Sequence, residues 1–333
     1  MSADPAVHTR PMEDADVPAV VRLLAEALGP APGGVDRREL FEWKHLRNPF
    51  GRSIALVAEA SGDVVGLRCF MRWRLAGAGG VRALATVRAV DTATSPTMQR
   101  RGIFSRLTRE ALAACEAEGV SMVFNTPNDR SRPGYLKMGW QVVAVWPLWV
   151  RARRPSRLAS AVLRRDLRSG PGVSAPAGSS LVPAEEALSA ERAPRSIEPE
   201  VLHTARSLEY LRWRYVEGPL AYHVLSGGGA TVIARLRSRG PLREAVVCEA
   251  LAPEGAQDDL RELLRILPRE AGADHAVAHF GTGWPGRGEL RRAGYVRPPR
   301  AGLTFTVRPV SPSEPDPLHA ASWSLALGDL EVF

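Results

Sequence analysis

The chain has 333 residues, 45% of them hydrophobic and 24% charged, with a formal net charge of +8. That length exceeds one ordinary domain and the composition is globular, so two cores of roughly 150 residues each are expected. Cys69, Cys115 and Cys248 lie scattered, which argues against a disulfide framework or a metal-type cysteine site. The polar first ten residues, and the absence of any apolar run near the ~20 residues that span a bilayer, imply a cytoplasmic protein off the membrane.

Only Lys44 and Lys137 of the 44 basic residues are lysines. Such an arginine bias, beside abundant Ala, Gly and Pro, is what a GC-rich coding sequence gives. The charge is compatible with nucleic-acid binding, but no helix-turn-helix, zinc-finger or RNP-type motif accompanies it. An anionic small molecule would draw on the same field.

In chain order, the segment 40–50 (LFEWKHLRNPF) precedes alternating apolar runs at 54–58 and 64–70, which read as a hairpin. Residues 87–94 read as a strand and Ser95-Pro96 break it. Leu107, Ala111, Leu112 and Cys115 then recur at helical spacing over 105–117. Between strand and helix stands Met98-Gln99-Arg100-Arg101-Gly102-Ile103-Phe104. A basic, glycine-containing turn that opens a helix is a place to hold a phosphate. The first-turn N–H groups have no internal partners, and the macrodipole adds roughly half a positive charge there. Gly102 lets the backbone come close, and the arginines supply charge. Neither a P-loop nor a triple-glycine dinucleotide turn is present. Farther on, 120–124 is a short apolar strand, followed by Asn125-Thr126-Pro127-Asn128-Asp129 and then Gly134-Tyr135-Leu136-Lys137-Met138-Gly139-Trp140.

The basic turn resembles the pyrophosphate loop of the GNAT superfamily of acyl-CoA N-acyltransferases, Gln/Arg-x-x-Gly-x-Gly/Ala. Gln99, Arg100 and Gly102 match it, while Phe104 departs from it, standing where a small residue is commonest. The family also carries an Asn seven residues before the Tyr of a Tyr-x-Lys-Leu-Gly-Phe motif. Asn128 and Tyr135 keep that spacing, and Met138-Gly139-Trp140 is a conservative variant of the ending. The resemblance implies an α/β (α+β) fold and an acyl-CoA donor, acetyl-CoA by default or a longer acyl-CoA, with no metal. By the same resemblance, Gln99, Arg100, Arg101, Gly102, Ile103, Phe104 and Asn128 would hold CoA. Val90 and Thr92, in the splayed strand 90–94, would offer backbone amides to the acyl carbonyl and the pantetheine arm. Tyr135 would be the acid for the CoA sulfur; its alternative is a packing aromatic.

The segment 151–194 is rich in Arg, Pro, Gly and Ser and reads as a linker, with one short helix at 158–167. Beyond it the chain repeats itself. Residues 210–220 (YLRWRYVEGPL) echo 40–50, pairing Trp43 with Trp213 and Pro49 with Pro219 at one offset. Apolar runs at 222–225 and 231–236 again read as a hairpin, and Arg292-Ala293-Gly294-Tyr295 echoes Lys137-Met138-Gly139-Trp140. Two GNAT-like halves are therefore expected, each a mixed, mostly antiparallel sheet flanked by helices. Residues 1–150 would be the acyl-CoA-binding catalytic domain, 151–195 the linker, and 196–333 a degenerate half that closes the acceptor cleft. Degeneracy follows from 252–259 (APEGAQDD), where an anion turn should stand but three acids would repel a pyrophosphate; its helix, 258–267, would be core support.

Amine attack on a thioester requires a neutral amine, a stabilised oxyanion and a proton for the thiolate. Asp91 is the first candidate base, since a carboxylate in an apolar strand needs a reason; the bland alternative is solvent exposure or a turn cap. His203 is the second, just before the repeat helix at 208–216, where an imidazole suits amine deprotonation. Asp329 could orient an acceptor amine, although a tail such as 323–329 is more often a docked final strand. Trp140, Trp146 and Trp149 are expected to cluster at the end of the first half. The resulting expectation is acyl transfer to the primary amine of a small metabolite, an amino sugar or glycosylated natural product by analogy with two-half members of the superfamily. The alternative from another class is a non-catalytic ligand-binding or regulatory module, nucleic-acid-associated, with the Phe104 ring filling the pyrophosphate groove.

Overall fold

The structure, a computed structural model, describes residues 6–77, 83–188, 196, 201–281, 284, 287–299 and 301–330. Its first elements are β1 (Val7–Pro11), α1 (Val17–Leu28), α2 (Arg37–His45), β2 (Ile54–Ala60), β3 (Asp63–Ala76), β4 (Leu84–Thr94), α3 (Ile103–Ala117), β5 (Met122–Asn125), α4 (Arg132–Lys137) and β6 (Gln141–Pro147). Then come β7 (Trp149–Ala152), α5 (Pro155–Leu163), β8 (Ser169–Gly172), β9 (Val182–Pro183), α6 (Ala184–Ala187), β10 (His203–Thr204) and α7 (Leu208–Tyr215). The remainder is β11 (His223–Gly227), β12 (Ala230–Arg239), β13 (Leu242–Leu251), α8 (Gln257–Glu270), β14 (His275–Ala278), α9 (Arg287–Arg292), β15 (Gly302–Pro309) and α10 (Leu327–Leu330).

These strands form two mixed sheets, one ordered β1-β2-β3-β4-β5-β15-β6 and the other β7-β14-β13-β12-β11-β9. Among the described residues, each sheet has a single parallel adjacent pair, β4–β5 and β13–β14, and the other pairings are antiparallel. The two-half, α/β architecture expected from the repeat is what the chain adopts. β3 is buried on both faces because helices cover both: Leu67 and Cys69 pack with Val20, Leu24 and Phe41, while Phe70 packs with Leu107, Ala111 and Cys115 of α3. A strand covered twice reads as a continuous apolar run, and each fully buried Leu or Phe contributes roughly 1.5–3 kcal/mol.

The halves do not divide at residue 150. β7, which follows β6 in the chain, leaves the first sheet and pairs with β14. β15, which closes the second half's sequence, crosses back and inserts between β5 and β6. Each half thus completes its sheet with a strand from the other's stretch of sequence. The described part of the expected linker also belongs to the second sheet, with β8 on β12 and β9 on β11. Its helix runs Pro155–Leu163, three residues earlier than expected, because Pro155 suits a first helical turn; residues 189–195 lie outside the described residues.

The repeat meets itself at the junction. The Trp43 and Trp213 rings stack with centroids 5.0 Å apart, and each indole Nε1 donates to the other residue's carbonyl, at 2.7 and 3.1 Å. The three C-terminal tryptophans of the first half do not cluster. Trp140 packs with Tyr135, Trp146 stacks on Phe305 at the junction, and Trp149 enters the second core, because Trp140 and Trp146 stand at opposite ends of β6 and β7 carries Trp149 into the other sheet. The 323–329 tail is not a strand either: it makes isolated bridges at Trp323 and Ala326 and ends in the single turn α10. All three cysteines are buried and free. No helix among the described residues is long and apolar enough to cross a membrane.

Candidate active site

A split in the first sheet opens a cleft of about 890 Å³. β4 pairs with β3 out to Thr94 but meets β5 only at Val87–Val123 and Arg88–Phe124. Beyond Arg88 the parallel strands part, leaving residues 89–94 of β4 lining the cleft with no strand on that side. Their backbone groups on that edge are therefore open to another chain of donors and acceptors. Val90 and Thr92 lie within this edge.

The basic turn closes one end. Arg100 and Gly102 both have left-handed backbone, at φ 64° and 77°. Such a succession aims neighbouring N–H groups into one concavity. The first helical bond of α3 runs from Arg106 N to Gly102 O, so the amides of Ile103, Phe104 and Ser105 precede it, and no side chain caps them. The helix begins two residues earlier than its spacing indicates because left-handed Gly102 is its N-cap. A Cβ at Gly102 would meet nothing within 4 Å, so the space over the turn is open. Gln99, Arg100, Gly102, Ile103 and Phe104 line the cleft; Arg101 does not. The Ile103 side chain is buried, so what it offers the cleft is its backbone. The Phe104 ring packs against Gly134 and edge-on to Tyr135, with centroids 5.8 Å apart.

On the opposite wall, Asn128 spends its Oδ1 accepting from the backbone of Arg130 and Ser131, at 3.1 and 2.9 Å, which fixes the turn into α4. One turn later Tyr135 lines the cleft, its ring buried between Phe104 and Trp140. Its hydroxyl accepts a hydrogen bond of 2.8 Å from Arg68 Nη1, and the same nitrogen donates to Thr92 Oγ1. Arg68 is wholly buried in β3, among the rings of Phe70, Phe104 and Tyr135, and its Nε and Nη2 have no hydrogen-bond partner among the described residues.

Asp91 stands on a β-bulge: β3 advances from Leu67 to Cys69 while β4 steps from Ala93 to Val90. The bulge turns its carboxylate to α2, where Lys44 Nζ and His45 Nε2 (2.8 Å) hold it. Burial alone would raise the Asp91 carboxyl, but Lys44 and His45 overcome it and hold the group well below the usual carboxylate range. An acid so stabilised as its anion is a poor proton acceptor, which removes the reason for choosing Asp91 as base. Burial pushes His45 below its ordinary value, and the ring is held between Asp91 on Nε2 and Ser53 Oγ on Nδ1, each at 2.8 Å.

His203 lies elsewhere. It is buried in β10, where the second half's chain pairs with Leu75 and Ala76 of β3, and it does not line the cleft. Asp329 is buried too, held by Arg206 (3.2 Å), Thr204 Oγ1 (2.6 Å) and the Ala326 amide (2.7 Å), so it anchors α10 instead of facing an acceptor. The far half still reaches the cleft, through Leu303 of β15 and Leu330 of α10. Sequence reasoning missed Arg68, Lys44 and His45. The signals were an arginine inside an apolar strand and one of only two lysines in the chain. At the second half's matching position, helix α8 carries Asp258 and Asp259 in its first turn, which supply the negative charge a helix N-terminus favours. Among the described residues no group of three His, Cys, Asp or Glu is placed to hold a metal.

Comparison with known proteins agrees with this geometry. Residues 8–143 match the model of the family described as acetyltransferase (GNAT) domain. No curated protein matches the sequence. Among solved structures, Eis1 from Mycobacterium abscessus aligns with a TM-score of 0.54 at 16% identity, over 92% of this chain and 74% of that one. The GCN5-related N-acetyltransferase from Kribbella flavida gives 0.56 at 16%, over 92% and 71%. That from Anabaena variabilis gives 0.57 at 11%, over 96% and 85%. At these identities the likeness is one of fold.

Proposed function

We propose that the chain, whose residues 8–143 match the model of an acetyltransferase (GNAT) domain, transfers an acyl group from acyl-CoA, acetyl-CoA by default, to a primary amine of a small metabolite. The observation that carries this reading is that one cleft is lined at once by the uncapped N-terminus of α3, the open edge of β4 and Tyr135. Bound there, the thioester would supply an activated acyl carbon and a thiolate leaving group. The α3 amides and Arg100 would hold the pyrophosphate, and the edge over 90–94 would bind the pantetheine amides and orient the carbonyl. Since Arg68 donates to the Tyr135 oxygen, the phenol O–H is not spent on that contact and would point to the leaving sulfur as the proton donor. With Asp91 committed to Lys44 and His45, the amine must arrive neutral; after direct attack its surplus proton leaves to solvent, and solvent returns a proton to Tyr135. The resemblance to two-half members of the superfamily makes amino sugars the first acceptors to try.

Calorimetry with CoA tests the binding step, and thiol release from acetyl-CoA and longer acyl-CoAs against an amine panel tests the chemistry. Gly102→Asp places a carboxylate at the anion turn and is expected to weaken CoA binding at least tenfold, a unit-charge repulsion being worth about 1–4 kcal/mol at 4 Å. Gly102→Asn tolerates the left-handed backbone without the charge and should lose far less. Absence of CoA binding, or equal binding by Gly102→Asp, overturns the reading.

A further inference from the structure

A second cavity of about 570 Å³ shares no residue with the first. Its walls come from the loop around Gly33 and Val35 in the first half, and from β8, β9, the α7–β11 connection and β12 in the second. Arg235, in the middle of β12, lines it and is only 3% exposed. Its two buried arginine neighbours are provided for: Arg237 pairs with Glu244 at 2.6 Å, and Arg214 donates to the Gly328 carbonyl at 3.1 Å and to the Tyr222 hydroxyl at 2.5 Å. The Arg235 guanidinium has no hydrogen-bond or ion-pair partner among the described residues. Burial, aided by the neighbouring charge of Arg237, pushes it below its ordinary value.

An arginine so nearly buried, reaching only the cavity and lacking a counter-charge, carries a desolvation penalty that a folded chain tolerates where a ligand supplies the missing anion. Two features point to such a ligand. A Cβ at Gly33 would stand 2.6 Å from Arg235 Nη2, so the residue facing the guanidinium is one that leaves it room. His223, which also lines the cavity, has its Nδ1 buried without a partner. Glu185, the lone carboxylate among the lining residues, is exposed and does not pair with Arg235.

We infer that this cavity binds a small organic anion, its phosphate or carboxylate head paired with the Arg235 guanidinium and its body against Val216, Leu220 and Tyr222. The planar fork of donors matches either head, and the volume is that of ordinary small-ligand pockets. The site is independent of the acyl-transfer reading.

The test uses the full chain in phosphate-free buffer, carrying Gly102→Asp so that the α3 turn does not compete. Probes are inorganic phosphate, phenyl phosphate and phenylacetate, with benzyl alcohol as the neutral control, read by calorimetry and melting temperature. At least one anion should bind with 1:1 stoichiometry and raise the melting temperature; whichever phenyl compound binds tighter names the head. Arg235→Met should weaken that binding at least tenfold, and Arg235→Lys less. Without probe, Arg235→Met should melt at or above the parent, because an apolar residue replaces an uncompensated charge. The inference is overturned if no anion binds below about 10 mM, a threshold near the weakest measurable affinities. It is also overturned if benzyl alcohol matches the acids, if Arg235→Met binds as tightly, or if Arg235→Met melts several degrees lower without probe.

Discussion

The hydrogen bond from Arg68 to Tyr135 has a direction, and that direction is what the role proposed for the tyrosine rests on. An arginine has donors only, so the phenol oxygen must accept and its hydrogen must point elsewhere. Tyr135→Phe is therefore expected to lower kcat by about a hundredfold, the usual scale of a lost general acid, with the CoA dissociation constant within about threefold. Stopped turnover with unchanged binding, measured by thiol release and calorimetry, checks it. His279 supports a second prediction. Burial pushes this ring, stacked on Trp146 and hydrogen-bonded to the Pro147 carbonyl, down to about 4. The unfolded chain takes up the proton near pH 6.5 and the folded one does not, so this stabilisation is whole above that pH. It is lost as pH falls toward 4, at up to about 1.4 kcal/mol per pH unit. In urea titrations at pH 7, 6 and 5, the stability advantage of the parent over His279→Gln should shrink stepwise. Charged residues in apolar strands are visible in a sequence, but their partners are not. Asp91 stood out by its type, yet its role depended on Lys44 and His45 from another element, and Arg68 depended on a tyrosine 67 positions away.

The cleft depends on where α3 starts, and β3 sets that point by close approach. A Cβ on Gly66 would lie 2.7 Å from Ile103 Cγ2, 3.0 Å from Ala58 and 3.2 Å from Leu107. Gly66→Ala should therefore lift the first turn of α3 off the sheet, destabilising the fold by about 1–3 kcal/mol, as overpacked cores do. It should weaken CoA binding as well, although residue 66 does not line the cleft. Denaturant midpoints and calorimetry read the two effects separately. The strand, turn and helix around this point were legible because alternation, a Ser-Pro break and helical spacing all agreed. The 323–329 tail was not. Its alternating Ser-Leu-Ala-Leu favours a strand, but the buried pair of Asp329 with Arg206 draws it into a helical turn.

The internal repeat made two halves legible, and the reciprocal Trp43–Trp213 contact is its structural counterpart. The exchange of β7 and β15 was not legible, since either strand is apolar enough for either sheet and the choice rests on contacts far apart in the chain. Residues 1–147 alone lack β15, which leaves β5 and β6 without the strand that joins them. Expressed by itself, this fragment should be aggregated or molten, by size exclusion and near-UV circular dichroism, whereas the whole chain should unfold in one transition with both halves together.

The crossing strand also sets a timetable. Synthesis delivers the α3 turn, the β4 edge and Tyr135 early, but the strand between β5 and β6 leaves the ribosome only after residue 309. At roughly 5–20 residues per second, the segment from β6 to β15 keeps the first sheet waiting on the order of ten seconds or more. During that interval two strand edges stand open, so maturation of the cleft is a late event that ends with the second half, and chaperone dependence should concentrate in that window.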